Sequence, residues 1–92
     1  MEKLKLISVN VNGLNSPTKR SKIWSQLKNH KTDIIFLQET HIKTVHSSLL
    51  TCKAIGQEYF ASEKEKKRGV VIYIKNKNIQ VLEEIQKQDL LS

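Results

Sequence analysis

Two short polar clusters, each following an apolar segment, carry the side chains best suited to chemistry on a phosphate. Asn10 and Asn12 lie at the end of the first apolar segment, and the polar residues 38–41 follow a second one. A carboxylate oxygen of Glu39 is a hard ligand of the kind Mg²⁺ prefers, and the Asn10 carboxamide is suited to orienting a metal-bound water or a phosphate oxygen. The structural alternative is that Asn12-Gly13 is an ordinary turn and Glu39 a solvated side chain.

The pattern of apolar residues predicts a strand, a helix and a second strand around these clusters. Residues 4–11 alternate and become β-branched, residues 17 to about 30 repeat at helical spacing after Ser16-Pro17, and residues 33–37 form an apolar run. This order favours a parallel crossover, so both clusters are expected at the carboxyl edge of an α/β sheet, where ligands bind. A type I′ hairpin at Asn12-Gly13 is the alternative for the first turn.

The second half of the chain adds predicted strands but little that could pack as helices on the faces of the sheet. Residues 42–56 are compatible with a short helix or a loop, and residues 79–91 fit either a helix or an edge strand. Residues 58–62 and 69–75, joined by the charged segment 63–68, predict an antiparallel hairpin. Four apolar strands and one good helix cannot cover both sheet faces, which indicates the opening part of a larger sandwich.

Length and composition exclude several classes of protein. A chain of 92 residues is one domain at most, and its single cysteine, Cys52, excludes an internal disulfide or a cysteine-based zinc site. The longest apolar runs are far shorter than a membrane span, and the first six residues alternate charged and apolar types rather than forming a secretory leader. We therefore expect an intracellular protein, nuclear or cytoplasmic and not secreted.

The net charge of +7 is concentrated in the first third of the chain, where residues 1–31 contain seven lysines and arginines and one glutamate. Such a basic region suits a polyanionic partner, because each phosphate contact releases counterions. The alternative is that a lysine-rich surface serves solubility alone. Five aromatic residues, none interleaved with the basic ones, argue against a stacking platform for single strands.

Three strings in this order resemble one known superfamily. They are residues 7–17 (ISVNVNGLNSP), 36–41 (FLQETH) and 67–72 (KRGVVI). The sequence resembles the endonuclease–exonuclease–phosphatase superfamily, most closely the apurinic-type endonuclease domain of long interspersed element (LINE) retrotransposon polyproteins. The resemblance implies that residues 1–92 are the incomplete amino-terminal part of a four-layer α/β sandwich of the deoxyribonuclease type, which performs Mg²⁺-dependent phosphodiester cleavage in DNA.

The resemblance also implies roles for single residues. Glu39 matches the metal-ligating glutamate, and Asn10 matches an asparagine at the metal and the phosphate, so both are expected to be catalytic and metal-binding. The residues expected to contact DNA are Asn12, Asn15, Lys19, Arg20 and His41. The implied partners are DNA and Mg²⁺, with no membrane and no further small-molecule cofactor. The oligomeric state is left open.

The later catalytic groups of that superfamily have no counterpart in this sequence. They include an Asp-x-Asn pair and a late Asp-His pair, whereas the only aspartates here are Asp33 and Asp89, and neither lies in such a pair. All three histidines lie in the first half of the chain. We therefore expect an endonuclease fragment that is inactive or very weak alone. The alternatives are a small basic nucleic-acid-binding remnant without catalysis and a translated remnant with a poorly stable fold.

Overall fold

The chain folds as a mixed α/β unit in a computed structural model that describes residues 3–61 and 69–81. Its elements are, in order, β1 (Leu6–Asn10), α1 (Pro17–Lys28), β2 (Ile34–Gln38), a 3-10 helix (Thr44–Leu50), β3 (Gln57–Ala61) and β4 (Val70–Ile74). The predicted strands and helix are confirmed, and residues 42–56 prove to hold a short helix. The segment 63–68 and the region from residue 82 onward, for which a loop and a helix or edge strand were predicted, lie outside the described residues.

The four strands form one sheet in the order β1-β2-β4-β3. β1 and β2 pair in parallel, with Asn10 opposite Gln38, which confirms the predicted crossover through α1. β4 pairs antiparallel with both β2 and β3, so the predicted hairpin is also confirmed. The alternative of a hairpin at Asn12-Gly13 is wrong, because that turn leads into α1 rather than into an adjacent antiparallel strand.

Helix α1 begins and ends with defined caps. The Ser16 hydroxyl accepts a hydrogen bond from the Lys19 backbone N–H (3.3 Å), and Pro17 occupies the first turn, where its missing N–H costs nothing. At the other end, the Lys75 ammonium group donates to three main-chain carbonyls, those of Leu27 (3.0 Å), Lys28 (3.4 Å) and His30 (2.6 Å). A cation at this position also interacts favourably with the helix dipole.

One face of the sheet carries the core. Ile35 and Leu37 of β2 and Val71 and Tyr73 of β4 are fully buried, and Leu27 of α1 belongs to the same cluster. The alternate residues on the other face are only half-buried and lie outside this core; they are Ile34, Phe36, Ile72 and Ile74. The continuous apolar runs that predicted two covered faces therefore have one fully buried face and one half-buried face.

Tyr73 joins the sheet to the 3-10 helix. Its side chain is fully buried, and its hydroxyl donates a hydrogen bond to the main-chain carbonyl of Leu50. Burial raises the pKa of Tyr73 to about 12, because the phenolate would be desolvated in this core.

Among the described residues, no helix combines the length and the apolar character needed to cross a bilayer.

Candidate active site

The two polar clusters meet at the carboxyl edge of the parallel pair β1 and β2. Asn10 is the last residue of β1, and Glu39 directly follows β2. The Asn10 Nδ2 group donates a hydrogen bond to the Glu39 carboxylate, which joins side chains that are 29 residues apart in the sequence. The expectation that the crossover brings both clusters to one edge is therefore met in detail.

Hydrogen bonds between the two clusters continue beyond the ends of the strands. Three backbone N–H groups, those of Val11, Gly13 and Leu14, donate to the carbonyls of Gln38 (3.0 Å), Glu39 (2.7 Å) and Thr40 (2.8 Å), respectively. The Asn15 side chain adds a fourth bond, to the carbonyl of His41 (2.9 Å). We call this set the cross-loop hydrogen bonds. They fix residues 11–15 against residues 38–41 without using the Glu39 carboxylate.

Three residues other than glycine adopt positive φ at this edge. They are Asn12 (φ 49°), Glu39 (φ 56°) and His41 (φ 57°). Gly13, also at positive φ (96°), lies so close to His41 that a Cβ atom there would be 3.1 Å from Nδ1. Left-handed backbone costs a residue other than glycine about 1–2 kcal/mol, so the cross-loop hydrogen bonds must offset this strain.

The Asn10 carboxamide is fixed at both ends. Its Nδ2 donates to Glu39, and its Oδ1 accepts from the backbone N–H of Asn12 (3.1 Å). Glu39 is half-buried, and within residues 3–61 and 69–81 its carboxylate accepts a hydrogen bond only at Oε2. Among these residues, the other carboxylate oxygen of Glu39 therefore accepts no hydrogen bond, and Oε2 is held by Asn10.

Lys19 and Arg20 hold the loop between β1 and α1. The Lys19 ammonium group donates to the carbonyl of Asn12 (3.1 Å), and the Arg20 guanidinium donates to those of Leu14 (2.8 Å) and Asn15 (3.0 Å). Sequence reasoning assigned both cations to DNA contact and missed this structural use. The bonds keep two positive charges beside the site, so a role in contacting phosphate stays a prediction.

Thr40 is a residue whose part in the site the sequence did not reveal. Its side chain is fully buried, its backbone N–H donates to the carbonyl of Gly69 (2.9 Å), and its carbonyl takes part in the cross-loop hydrogen bonds. Gly69 belongs to the third string of residues that carries the resemblance. The shared order of the three strings was therefore the available signal that they meet in space.

The other titratable candidates lie away from this edge. Asp33 is located at the opposite end of β2, where its carboxylate accepts from the Lys5 backbone N–H (2.8 Å) and from Asn76 Nδ2 (3.0 Å). These two bonds hold the pKa of Asp33 below its usual value. His30 follows α1 and His46 lies exposed on the 3-10 helix, so only His41 is close to Glu39 in the chain.

Comparison with known protein families agrees with this geometry. A family model described as the endonuclease/exonuclease/phosphatase family matches residues 7–90. The chain belongs to this family. The match spans all three strings, including both polar clusters, so the edge formed by Asn10 and Glu39 lies within the family domain. Endonuclease/exonuclease/phosphatase proteins typically depend on a divalent metal.

The donor atoms that Asn10 and Glu39 offer to such a metal at this edge are few, and all of them are oxygen. Among residues 3–61 and 69–81 there is no group of three or more His, Cys, Asp or Glu side chains that would enclose an ion. The Glu39 carboxylate and the Asn10 carboxamide remain, and both offer oxygen. Mg²⁺ is commonly bound through only one or two carboxylates, with water and phosphate oxygens completing its shell. The residues present therefore fit part of a magnesium site and do not fit a zinc site.

Proposed function

We propose that the chain is the amino-terminal part of a Mg²⁺-dependent DNA endonuclease of the retroelement type, and that Glu39 is its metal ligand. The observation that carries the proposal is the hydrogen bond from Asn10 to the Glu39 carboxylate at the carboxyl edge of a parallel strand pair. The family match supplies the chemistry class, since its members cleave phosphate esters. The choice of DNA as substrate and of the retroelement type rests on the resemblance of the three strings.

In this proposal Glu39 and Asn10 have different roles at the metal: one is a ligand and the other orients that ligand. Glu39 would hold Mg²⁺, and Asn10 would fix the carboxylate by donating to Oε2. Asn10 is in turn held by the backbone N–H of Asn12, which donates to Asn10 Oδ1. When bound, the ion would neutralise charge that develops on the phosphate. Direct ligation by the Asn10 oxygen would require that this oxygen give up its bond from Asn12. The structure therefore favours an orienting role for Asn10.

The proposed contacts to DNA surround this centre. Asn12 and His41 belong to the two segments that the cross-loop hydrogen bonds join next to Glu39, and both have positive φ. Lys19 and Arg20 place positive charge on the loop that connects β1 to α1. A phosphodiester backbone that approaches Glu39 would meet these cations, which attract it at low ionic strength.

The half-buried face of the sheet supports the proposal that residues 1–92 form only part of a domain. Ile34, Phe36, Ile72 and Ile74 project from that face and lie outside the core. In a four-layer sandwich, the second sheet would pack on them and complete their burial. The half-buried state of these side chains thus has a natural explanation in the larger fold.

Catalysis by this chain alone is expected to be absent or very weak. The sequence has no Asp-x-Asn or Asp-His pair to stabilise the pentacovalent phosphate or to position the attacking water. Removing one preorganised group of this kind typically costs about 3–4 kcal/mol of transition-state stabilisation. A plasmid-nicking assay with Mg²⁺ should give no cleavage above background. Robust nicking that disappears in Glu39→Ala would contradict this expectation while supporting the metal site.

Metal binding is the sharper test, because it does not need the absent groups. In a ¹⁵N-labelled sample titrated with Mn²⁺, we expect the Glu39 amide and the Asn10 side-chain amide to broaden first. Glu39→Gln should weaken this site at least about tenfold, because it removes the proposed carboxylate ligand. Glu58→Gln is the matched control, since Glu58 is a half-buried carboxylate on β3 that accepts from Thr51 (3.0 Å) and should leave the broadening unchanged.

Two results would overturn the proposal or redirect it. If the Mn²⁺ broadening does not centre on Asn10 and Glu39, or if it persists in Glu39→Gln, the proposal that Glu39 binds the metal is refuted. Salt-dependent binding of duplex DNA that is indifferent to both the metal and Glu39→Gln would instead favour the basic binding module without catalysis.

A further inference from the structure

The three strings that carry the family resemblance converge on Thr40. Its backbone carbonyl accepts from Leu14 of the first string (2.8 Å), and its backbone N–H donates to the carbonyl of Gly69 in the third (2.9 Å). Thr40 itself belongs to the second string and directly follows Glu39. One fully buried residue therefore joins the β1–α1 loop, the end of β2 and the start of β4.

Gly69 leaves room for the Thr40 side chain. A Cβ atom on Gly69 would overlap the Thr40 hydroxyl oxygen, and it would also lie 3.3 Å from the ring of Phe60. Gly69 is not at positive φ, so its backbone conformation is one that alanine adopts without strain. Space for Thr40 is thus the reason for glycine at this position.

The Thr40 hydroxyl is buried without a partner within residues 3–61 and 69–81. A buried hydroxyl that makes no hydrogen bond is destabilising, so its polarity does not explain the residue here. The shape of Thr40 is what remains: a β-branched side chain with restricted rotation fills the space over Gly69. We name this packing, together with the Thr40 N–H bond to Gly69, the Thr40–Gly69 contact.

Glu39 directly precedes this contact, and its own carbonyl accepts from the Gly13 N–H (2.7 Å). It lies at φ 56°, between Gln38, whose carbonyl is bonded to Val11, and Thr40, which is bonded on both sides. Such a conformation persists only when the surrounding structure holds it. If Thr40 moved, Glu39 would lose the fixed residue that follows it, and its carboxylate would leave Asn10.

We propose that Thr40 and Gly69 are positioning residues that hold the Glu39 carboxylate in its ligand-binding orientation. Neither residue touches the metal or the substrate; both act through the backbone of the residue that follows Glu39. The inference rests on the proposed metal role of Glu39 and adds residues to it. It gives the third string, which carries no ligand among its described residues, a function in the site.

The test compares a variant that should create a steric clash with Thr40 and a double variant that should remove this clash. Gly69→Ala should displace Thr40 and lower the Mn²⁺ affinity measured at Glu39 about tenfold, the scale of effects from residues that support a ligand. Amide hydrogen exchange should lose protection at Thr40, Gly13 and Leu14, while the core strand amides of Ile35 and Leu37 keep theirs. The double variant Thr40→Ala/Gly69→Ala should recover both the affinity and the protection, because it removes the overlapping oxygen.

Thr40→Val is the matched control for the hydroxyl. It keeps the branched shape and replaces the unpartnered hydroxyl with a methyl group of similar size, so the Mn²⁺ affinity and the exchange pattern should be close to those of the unaltered chain. A fall in affinity there would mean that the hydroxyl has a role that the shape argument denies.

The outcomes separate this inference from the proposed function. If Mn²⁺ does not bind at Glu39 in the unaltered chain, the metal role fails, but exchange at Thr40 still reports on the contact. Fast exchange of the Thr40 amide in the unaltered chain, or unchanged affinity in Gly69→Ala, would overturn the Thr40–Gly69 contact as a positioning device. If Gly69→Ala does not fold but the double variant does, the result supports the Thr40–Gly69 contact. If the double variant is also unfolded, overlap with the Thr40 hydroxyl is not the reason that Gly69→Ala fails to fold, and the contact is refuted.

Discussion

Different groups make the hydrogen bonds that close the two ends of the parallel strand pair β1 and β2. At the carboxyl edge, the main chain of residues 11–14 bonds to the main chain of residues 38–40. At the amino edge, the backbone N–H groups of Asp33 and Ile34 also donate to the Lys5 carbonyl (2.9 and 3.2 Å). Two side chains join them: the Asp33 carboxylate accepts from the Lys5 N–H, and the Thr32 hydroxyl donates to the Lys5 carbonyl (2.8 Å). A charged side chain therefore takes part in closing the amino end of the strand pair, whereas the backbone bonds at the carboxyl end do not use the Glu39 carboxylate.

The difference determines where chemistry is available. A side chain that closes an edge is occupied, as Asp33 is by Lys5 and Asn76. A carboxylate next to an edge already closed by backbone is not needed for that closure, as with Glu39, and in our proposal this leaves oxygen for a ligand. The cost of backbone closure appears in the dihedral angles, since Asn12, Glu39 and His41 all have positive φ. The candidate site is thus strained in its backbone and open in its side chains.

The largest effect on stability is expected at the amino edge, from Lys75→Met. The Lys75 ammonium group donates to three carbonyls at the end of α1. Methionine keeps most of the apolar stem but removes all three of these bonds, and only the Leu27 carbonyl keeps a backbone donor among the described residues, the His30 N–H (3.1 Å). Because hydrogen bonds from a charged donor contribute about 1.5–3 kcal/mol, we expect the free energy of unfolding to fall by about 2 kcal/mol. Urea denaturation measures it.

Lys77→Met is the control for this variant. Lys77 is exposed, two residues along the chain, so losing its charge should change the free energy of unfolding by less than about 0.5 kcal/mol. Mn²⁺ affinity at Glu39 should be unchanged in both variants. Equal destabilisation by the two substitutions would show that Lys75 contributes charge alone and does not close the edge.

A smaller effect, of opposite sign, is expected at the carboxyl edge from Glu39→Gly. Glycine adopts φ 56° without a Cβ penalty, so this variant should be about 1 kcal/mol more stable than Glu39→Ala, which retains the penalty. Both variants should lose the Mn²⁺ site. Comparing them in urea isolates the backbone strain from the loss of the carboxylate. Equal stabilities would mean that the left-handed conformation at Glu39 is not strained.

The sequence predicted the edge but not the means by which it is closed. Periodicity located both strands and α1, and the crossover rule then required Asn10 and Glu39 to share an edge. Three of the four cross-loop hydrogen bonds could not be predicted, because they join backbone atoms, which carry no sequence signature. For the same reason the uses of Lys19 and Arg20 as loop holders were missed, since a basic residue near a polar cluster equally suggests phosphate contact.

Thr40 shows a second limit of the sequence argument. A threonine after a strand has no periodicity to mark it as buried, and the glycine that makes room for it is 29 positions away. Only the pairing of β4 with β2, which places Val70 opposite Gln38, brings Gly69 to Thr40. Asp33 was better defined, because its place before β2 assigned it in advance to the edge opposite Glu39.

The smallest effect concerns the pH dependence at Asp33. Bonds from Lys5 and Asn76 favour the carboxylate, so its pKa in the folded chain lies below the value near 3.9 expected for the unfolded chain. A group with a lowered folded pKa contributes its stability fully above the unfolded value and loses it as the pH falls through the folded value. The stability difference between the unaltered chain and Asp33→Asn should therefore be constant from about pH 7 to pH 5 and shrink below about pH 4. Urea denaturation without metal measures this difference and keeps protonation of a metal-bound Glu39 out of the comparison. A difference that grows on acidification would mean that Lys5 and Asn76 do not favour the charged form, and the amino edge would then not be closed by this carboxylate.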